Sequence, residues 1–331
     1  MAANIPLNVP STGSEVAPVD PLPSLKGFNP IKRNFWERAV HDFKRSNKWG
    51  YVFIAPLLID FAVFVAYLIV RAFAMAFQKV SYGTATWIGF DNFTRLLQEP
   101  EFFNALKNTV VYTLAVVPGG ILVALIFSEM IFRRSTRVQA FYKSAYYLPG
   151  VVSTVAMSLV WLFIYQPFGG ILNYLTSLFG MDANNWMGNP ATAMPSLIFM
   201  GIVGTMGASV VFITAAMGGI SPELYDAAKI DGASEWQRLW RVTVPLLRPT
   251  LLYLFVVGFI GNFQVFEQVY VMTGGGPGYP GATTTVGYLI YSSAFLSLNI
   301  GYAAAESVAL FFVILLVSVF QFRFFAGELE Y

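Results

Sequence analysis

Very few side chains in this sequence can do chemistry. None of the 331 residues is cysteine, and His41 is the single histidine. Thiolate nucleophiles, disulfides, Cys/His metal sites and histidine dyads are therefore excluded, and no catalytic or metal-ligating residue is expected. No G-x-x-x-x-G-K-S/T loop occurs, so the chain lacks a phosphate cradle of that type. Two polar concentrations remain. Asn262, Phe263, Gln264, Phe266, Glu267 and Tyr270 crowd together inside an apolar run. Carboxamides and a carboxylate can bond hydroxyls while aromatic faces stack on a ring, the pairing a sugar takes. The same side chains could equally join helix to helix, as polar residues often do in membranes.

The second concentration is Ser221–Pro249, which holds about a fifth of all charged residues between two long apolar runs. Its local pattern predicts helix, glycine, helix. Ser221 can cap a first helix that Pro222 opens, with Glu223 and Asp226 early, where the helix dipole favours negative charge. Gly232 is the expected stop. Ser234 and Gln237 form a capping-box start for the second helix, and Pro245 bounds it. Leu224, Ala227, Ala228 and Ile230 share one broad side of the first helix, small enough for another backbone to approach closely. Such a hairpin can receive a partner, or it can rest on lipid.

The elements that hold these groups are membrane spans. Hydrophobic residues make up 56% of the chain and charged residues 11%, with mean hydropathy +0.60; a soluble domain carries about 25% charge. Six runs of spanning length are predicted: Val52–Phe77, Leu106–Phe132, Tyr147–Tyr165, Met194–Ile220, Thr250–Met272 and Ala303–Phe325. The expected fold is an all-α polytopic membrane protein with no sheet of any size. Residues 1–30, rich in proline, read as a disordered tail. Residues 31–49 read as a basic juxtamembrane segment, residues 50–326 as the six-span domain and residues 327–331 as a short C-terminal tail. The first span lacks a following small-residue cleavage site and reads as a retained helix.

Basic residues fix the expected orientation. Arg133, Arg134, Arg137 and Lys143 follow the second span, and Lys229, Arg238, Arg241 and Arg248 lie in the polar loop. Residues 167–193 and 273–301 contain no lysine or arginine. The positive-inside rule then predicts both termini, and the helix–glycine–helix loop, on the cytoplasmic side of a cell membrane.

Asp226-Ala227-Ala228, three residues, Gly232, nine residues and Val242-Thr243-Val244-Pro245 resemble the EAA loop of binding-protein-dependent ABC importer permeases. That loop reads E-A-A, three residues, G, nine residues, I-x-L-P; here Asp replaces Glu, and Val replaces Ile and Leu. Glu223-Leu224-Tyr225 and Ile230-Asp231-Gly232-Ala233 are similar to the sugar-importing branch, with its membrane subunits for maltose and glycerol-3-phosphate. Further similarity runs from about Trp49 to Phe325. It includes Trp87-Ile88-Gly89-Phe90-Asp91-Asn92-Phe93, Phe102 with Ala105-Leu106-Lys107-Asn108-Thr109, Tyr147-Leu148-Pro149 with Trp161, Gly170-Ile171-Leu172-Asn173, Tyr270 to Pro277, and Gly301 to Ala305.

The resemblance implies a type I (MetI-like) permease that is a pore subunit and not an enzyme. It implies a second, non-identical permease, an extracytoplasmic solute-binding protein and two ATPase subunits that carry the ATP and magnesium; this chain itself needs no cofactor. Nucleic acid is not an expected partner. In such permeases the first helix of the loop sits in a groove of the ATPase, so Glu223, Asp226, Ala227, Ala228, Asp231, Gly232 and Pro245 are the expected coupling residues. Asp226, Asp231 and Glu235 would pair with basic groups there. The cargo expected is a sugar or oligosaccharide; a polyol, a glycerophosphate or an acidic oligosaccharide is the alternative within the class. The alternative outside it is an autonomous secondary transporter or a membrane-embedded enzyme.

Charges within the spans cost roughly 2.5–3.5 kcal/mol each at a helix centre. Asp60 and Glu306 match nothing in the family resemblance and are expected either to be paired structurally or to contact a partner or the substrate. Glu129 is expected at the interface. Arg71 and Arg323 snorkel from span ends. The Gly274–Gly281 cluster reads as an outer turn and not as a phosphate cradle. Asn92-Phe93-Thr94 matches a glycosylation triplet that has no meaning in a bacterial-type importer.

Overall fold

Apolar runs of this length fold as helix because only a helix bonds every backbone group within its own segment. The structure, a computed structural model, describes residues 48–81, 84–278 and 281–326. The expected disordered tail, nearly all of the basic segment 31–49 and the C-terminal tail 327–331 lie outside the described residues. In chain order the elements are α1 (Gly50–Ala76), strands β1 (Gln78–Ser81) and β2 (Thr84–Trp87), α2 (Asp91–Gln98) and α3 (Pro100–Phe132). Next come α4 (Thr136–Val151), α5 (Thr154–Ile164), α6 (Ile171–Ser177), α7 (Pro190–Met217) and α8 (Pro222–Ile230). The series closes with α9 (Glu235–Leu246), α10 (Arg248–Phe263), α11 (Glu267–Met272), α12 (Val286–Leu296) and α13 (Ile300–Ala326).

The described residues fall into two units, divided between Ala62 and Val63. Of the first, the described part is apolar helix with nearly every side chain exposed, a surface that only lipid or another apolar protein face can cover. The second unit centres on α3, whose 33 residues make a rod of about 50 Å. It buries Tyr112, Val116, Ile121 and Ala124, and it packs on α7 through Gly201, where a Cβ would stand 2.6 Å from the Tyr112 hydroxyl. On another side of α7, Gly207 lets the backbone of α4 come so near that a Cβ would lie 2.1 Å from the Tyr146 carbonyl oxygen. Without a hydrophobic drive between helices in lipid, such close backbone approach is what holds them together.

Four helices, α1, α3, α7 and α13, are long and apolar enough to cross a membrane unbroken. Two other expected spans are not single helices. The predicted span Tyr147–Tyr165 straddles a 97° bend between α4 and α5; Val152 and Ser153 are extended there, directly after the Pro149-Gly150 pair that weakens the helix end. The predicted span Thr250–Met272 starts as α10, after a 75° bend from α9, and breaks again at residues 264–266 before α11. Hydropathy continues through the α4–α5 bend, while the 264–266 break coincides with the polar residues Asn262, Gln264, Glu267 and Gln268.

A two-stranded antiparallel hairpin, Gln78 opposite Trp87 and Ser81 opposite Thr84, is an exception to the all-helical expectation. Asn92 secures it: buried, its Nδ2 donates to the carbonyls of Ala76 at 2.9 Å and Gln78 at 3.1 Å. The side chain of the apparent glycosylation triplet is thus used internally. Asn173, from the Gly170-Ile171-Leu172-Asn173 stretch, serves α6 likewise. It donates to the carbonyls of Gln166, Pro167 and Asn184 and accepts from Trp186 Nε1 at 2.8 Å. In the glycine cluster, Gly274, Gly275 and Gly278 take positive φ and Gly275 N–H donates to Tyr270 at 2.7 Å; the described part is a turn that ends α11.

Candidate functional site: the polar hairpin and the broken helix

Ser221 occupies the N-cap of α8, but its hydroxyl caps nothing. The Leu224 N–H that it would take bonds the Ser221 carbonyl instead, at 3.2 Å. The other end follows the sequence. Gly232 takes φ +76°, Ala233 N–H reaches the Ala228 carbonyl at 2.9 Å and Gly232 N–H the Lys229 carbonyl at 3.1 Å; this paired closure is the Schellman motif. The capping box is complete, with Gln237 N–H donating to Ser234 Oγ at 3.3 Å and Ser234 N–H to Gln237 Oε1 at 2.8 Å. Pro245 lies inside the last turn of α9, one residue before its end, and follows a π-helical turn, Leu239–Thr243. A widened turn ahead of the proline accommodates the missing N–H.

Two side-chain links make the hairpin stiff. The Tyr225 hydroxyl lies 3.2 Å from Thr243 Oγ1 and ties α8 to α9. Burial pushes the Tyr225 phenol above its ordinary pKa, against a smaller lowering by the Thr243 hydrogen bond. Arg133, just past α3, donates from Nε to Glu129 at 3.0 Å and from one terminal nitrogen to Glu235 at 2.5 Å. Arg238 adds a second bond to Glu235 at 3.5 Å. Glu235, expected to face a partner, is therefore already paired within the chain, and Glu129 is held by Arg133. Between α3 and the hairpin lies a cavity of about 240 Å³ lined by Arg133, Tyr225, Asp226, Lys229 and Arg238.

What the hairpin presents outward is α8. None of its residues is buried. Glu223, Asp226, Ala227, Asp231 and Gly232 are exposed, while Ala228 and Pro245 are half-buried. Glu223, Asp226 and Asp231 make no ion pair among the described residues. Leu224 is 47% and Ile230 87% exposed, so an apolar edge stands free beside uncompensated carboxylates.

The break between α10 and α11 opens a cavity of about 390 Å³, lined by Thr154, Thr205, Gly261, Asn262, Gln264, Val265, Phe266, Glu267 and Gln268. Asn262 Nδ2 donates to the Gly258 carbonyl and Gln264 Nε2 to the Ile260 carbonyl, each at 2.9 Å. Each carboxamide so keeps its oxygen for another donor, and with the Glu267 carboxylate the wall is rich in acceptors. Phe263 and Tyr270 do not line this space. Phe263 is buried against Phe259 in the core, because it ends α10 on the opposite face. Tyr270 packs on Phe266 and Tyr291, with centroids 5.4 and 5.1 Å away.

Thr154, Thr205 and Gln268 were not singled out from the sequence. Gln268 was nearest to being legible, next to Glu267, and Tyr112 of α3 fixes its amide by a 2.7 Å hydrogen bond. The two threonines carry no local signal, since only the fold brings α5 and α7 to the break. Asp60 is exposed and, like Glu306, makes no ion pair among the described residues.

The family described as binding-protein-dependent transport system inner membrane component matches residues 116–326. The chain is 31% identical over 319 residues to the arabinooligosaccharides transport system permease protein AraP of Bacillus subtilis (strain 168), covering 94% of this chain and 97% of that one. It is 30% identical over 290 residues to the sn-glycerol-3-phosphate transport system permease protein UgpA of Escherichia coli O6:K15:H31, covering 87% and 97%. Among solved structures it is similar to a chain of a bacterial ABC transporter involved in the import of the acidic polysaccharide alginate. There the TM-score is 0.77 at 25% identity, over 88% of this chain and 100% of that one. A bacterial alginate ABC transporter in complex with alginate pentasaccharide-bound periplasmic protein gives a TM-score of 0.73 at 25% identity, over 88% and 96%.

Proposed function

The chain belongs to the family of binding-protein-dependent transport system inner membrane components, and on that premise we propose that it is the membrane permease subunit of an ATP-driven importer for a sugar or oligosaccharide. The arabinooligosaccharide relative supports the cargo class; the alginate transporter, whose cargo is an acidic polysaccharide, supports a saccharide but not its charge. A phosphate-bearing cargo is less favoured, because the cavity at the helix break carries one carboxylate and no lysine or arginine. An anion there would be repelled, whereas hydroxyls would find acceptors.

In this reading the chain crosses the membrane six times, by α1, α3, the bent pair α4–α5, α7, α10 with α11, and α13. Arg133, Arg134, Arg137 and Lys143 share the hairpin's end of the bundle with Lys229, Arg238, Arg241 and Arg248, and the positive-inside rule makes that end cytoplasmic, with both termini. A second permease of the same family completes the pathway, and an extracytoplasmic binding protein delivers the cargo; one structural relative has such a protein bound. Two ATPase subunits carry ATP and magnesium, so this chain hydrolyses nothing and binds no cofactor of its own.

The observation that carries the coupling reading is the free edge of α8, with Ile230 87% exposed, on a hairpin fastened by Arg133–Glu235 and Tyr225–Thr243. A stiff, shaped projection transmits force; a loose one would dissipate it. The ATPases, closing on ATP, grip α8 and swing the spans between inward-open and outward-open arrangements. Asp226 and Asp231 pair with basic groups of the ATPase, and Ala227, Ala228 and Gly232 allow close seating. Gly232→Val in reconstituted transporter is expected to insert normally yet lose uptake while ATP hydrolysis no longer responds to loaded binding protein. Normal uptake with normal stimulation would remove the coupling assignment.

A further inference from the structure

A second polar cavity, of about 160 Å³, lies where α2, the start of α3, α12 and α13 meet. Its deepest group is Glu306, 2% exposed. Glu306 Oε2 has no hydrogen-bond partner, and neither has the buried Tyr302 hydroxyl; the Ser293 side chain lines the same cavity. A carboxyl taken out of water keeps its proton unless a positive charge or bonds to its lone pairs compensate the carboxylate.

Among the described residues the wall holds one cation, and it makes no ion pair with Glu306. Arg95 lies over the Tyr302 ring, 4.4 Å from the centroid, and its Nε is 3.9 Å from Glu99. Glu101 adds a further carboxylate to the lining, so acidic groups outnumber basic ones. The donors left are carboxylate and hydroxyl oxygens, the set that hard cations choose. Among the described residues no three acidic groups converge closely enough for a metal ion that needs several carboxylates, which argues for a singly charged occupant. The volume is too small for a sugar and suits an ion with a few waters. The wall is also built irregularly: Ser292–Leu296 is a π-helical turn and Leu298 holds φ +52°, a conformation a leucine adopts only when its surroundings impose it.

We propose that this cavity binds a small monovalent cation, sodium or potassium, through Glu306 with help from the Ser293 and Tyr302 hydroxyls. The ion joins α12 and α13 to the start of α3 and takes the place of the proton that the buried Glu306 carboxyl otherwise keeps, the proton passing to solvent. The assignment is independent of what the protein carries.

The test is thermal unfolding of the full chain, purified in detergent with the subunits that accompany it, in sodium, potassium and choline chloride at equal ionic strength. Sodium or potassium should raise the midpoint saturably over choline by about 2–4 °C, and Glu306→Gln should abolish the difference. Equal midpoints in all three salts, meaning water alone fills the cavity, would overturn the proposal; so would a difference that survives in Glu306→Gln. Should Glu306→Gln not fold, Ser293→Ala decides: a several-fold higher half-saturating concentration is expected, and an unchanged one contradicts the site.

Discussion

The Arg133 guanidinium meets the Glu235 carboxylate at 2.5 Å across 102 residues of sequence, joining the end of the longest buried helix to the second helix of the hairpin. Both groups are partly exposed, with side chains 34% and 76% accessible, so solvent screening limits what the pair adds to stability. Its value is positional. Arg133→Gln or Glu235→Gln should lower unfolding stability by under about 1 kcal/mol yet reduce binding-protein-stimulated ATP hydrolysis several-fold. A double-mutant cycle on that stimulation should show the two changes to be non-additive; full additivity would mean the pair does not act as a unit.

Close helix packing predicts a sharp contrast between neighbouring glycines of α7. A Cβ on Gly207 would meet the Tyr146 carbonyl oxygen at 2.1 Å, whereas one on Gly204 has nothing within 4 Å. Backbone cannot step aside as a flexible side chain can. Gly207→Ala should therefore cost about 1–3 kcal/mol and Gly204→Ala close to nothing, measured as thermal stability of the purified protein. Equal effects would mean α4 and α7 are not packed as described.

For the cavity at the helix break, Asn262→Ala and Glu267→Ala should each raise the half-saturating cargo concentration for uptake. Loss of one hydrogen bond corresponds to roughly a 2- to 12-fold change. Basal ATP hydrolysis and its stimulation should stay intact, since neither residue touches the hairpin. Unaltered cargo affinity in both variants would mean these side chains serve helix packing instead.

Tyr225 gives the hairpin a dependence on alkaline pH. Burial raises its folded-state pKa above the ordinary 10.0, so the folded hairpin favours the neutral phenol. The resulting stabilisation is fully present below about pH 10 and is lost as pH rises through the raised value. The stability difference between wild type and Tyr225→Phe should be level from neutral pH to about 9.5 and then shift against the wild type. A difference that stays flat beyond the ordinary tyrosine value would place Tyr225 in water.

Legibility followed the range of the interactions. Gly232 and the Ser234–Gln237 box were readable because each is satisfied within a few residues of chain. The four unbroken spans were readable from hydropathy for the same reason. The bend after Pro149 was not, because Val151 and Val152 keep the apolar run going while the backbone turns, and the polar residues at the 264–266 break were read as lining or helix-joining groups and not as a break. Thr154 and Thr205 join Asn262 only through tertiary packing, and Phe263 was drawn into the candidate pathway by adjacency although its ring faces the core. Glu306 was conspicuous as a charge in a span; that its neighbours leave one oxygen bare emerged only from the fold.

The claim on which the account turns is that α8 docks into a partner ATPase. Because the chain has no cysteine, Ile230→Cys gives a single thiol on the exposed edge, and Phe168→Cys, also highly exposed, gives a control outside the hairpin. Cross-linking in membranes with a short homobifunctional thiol reagent should join Ile230→Cys, and not Phe168→Cys, to an ATP-binding subunit carrying a thiol in its docking groove, with a yield that changes when ATP is added. No cross-link from Ile230→Cys, or equal yields from both positions, would contradict the account.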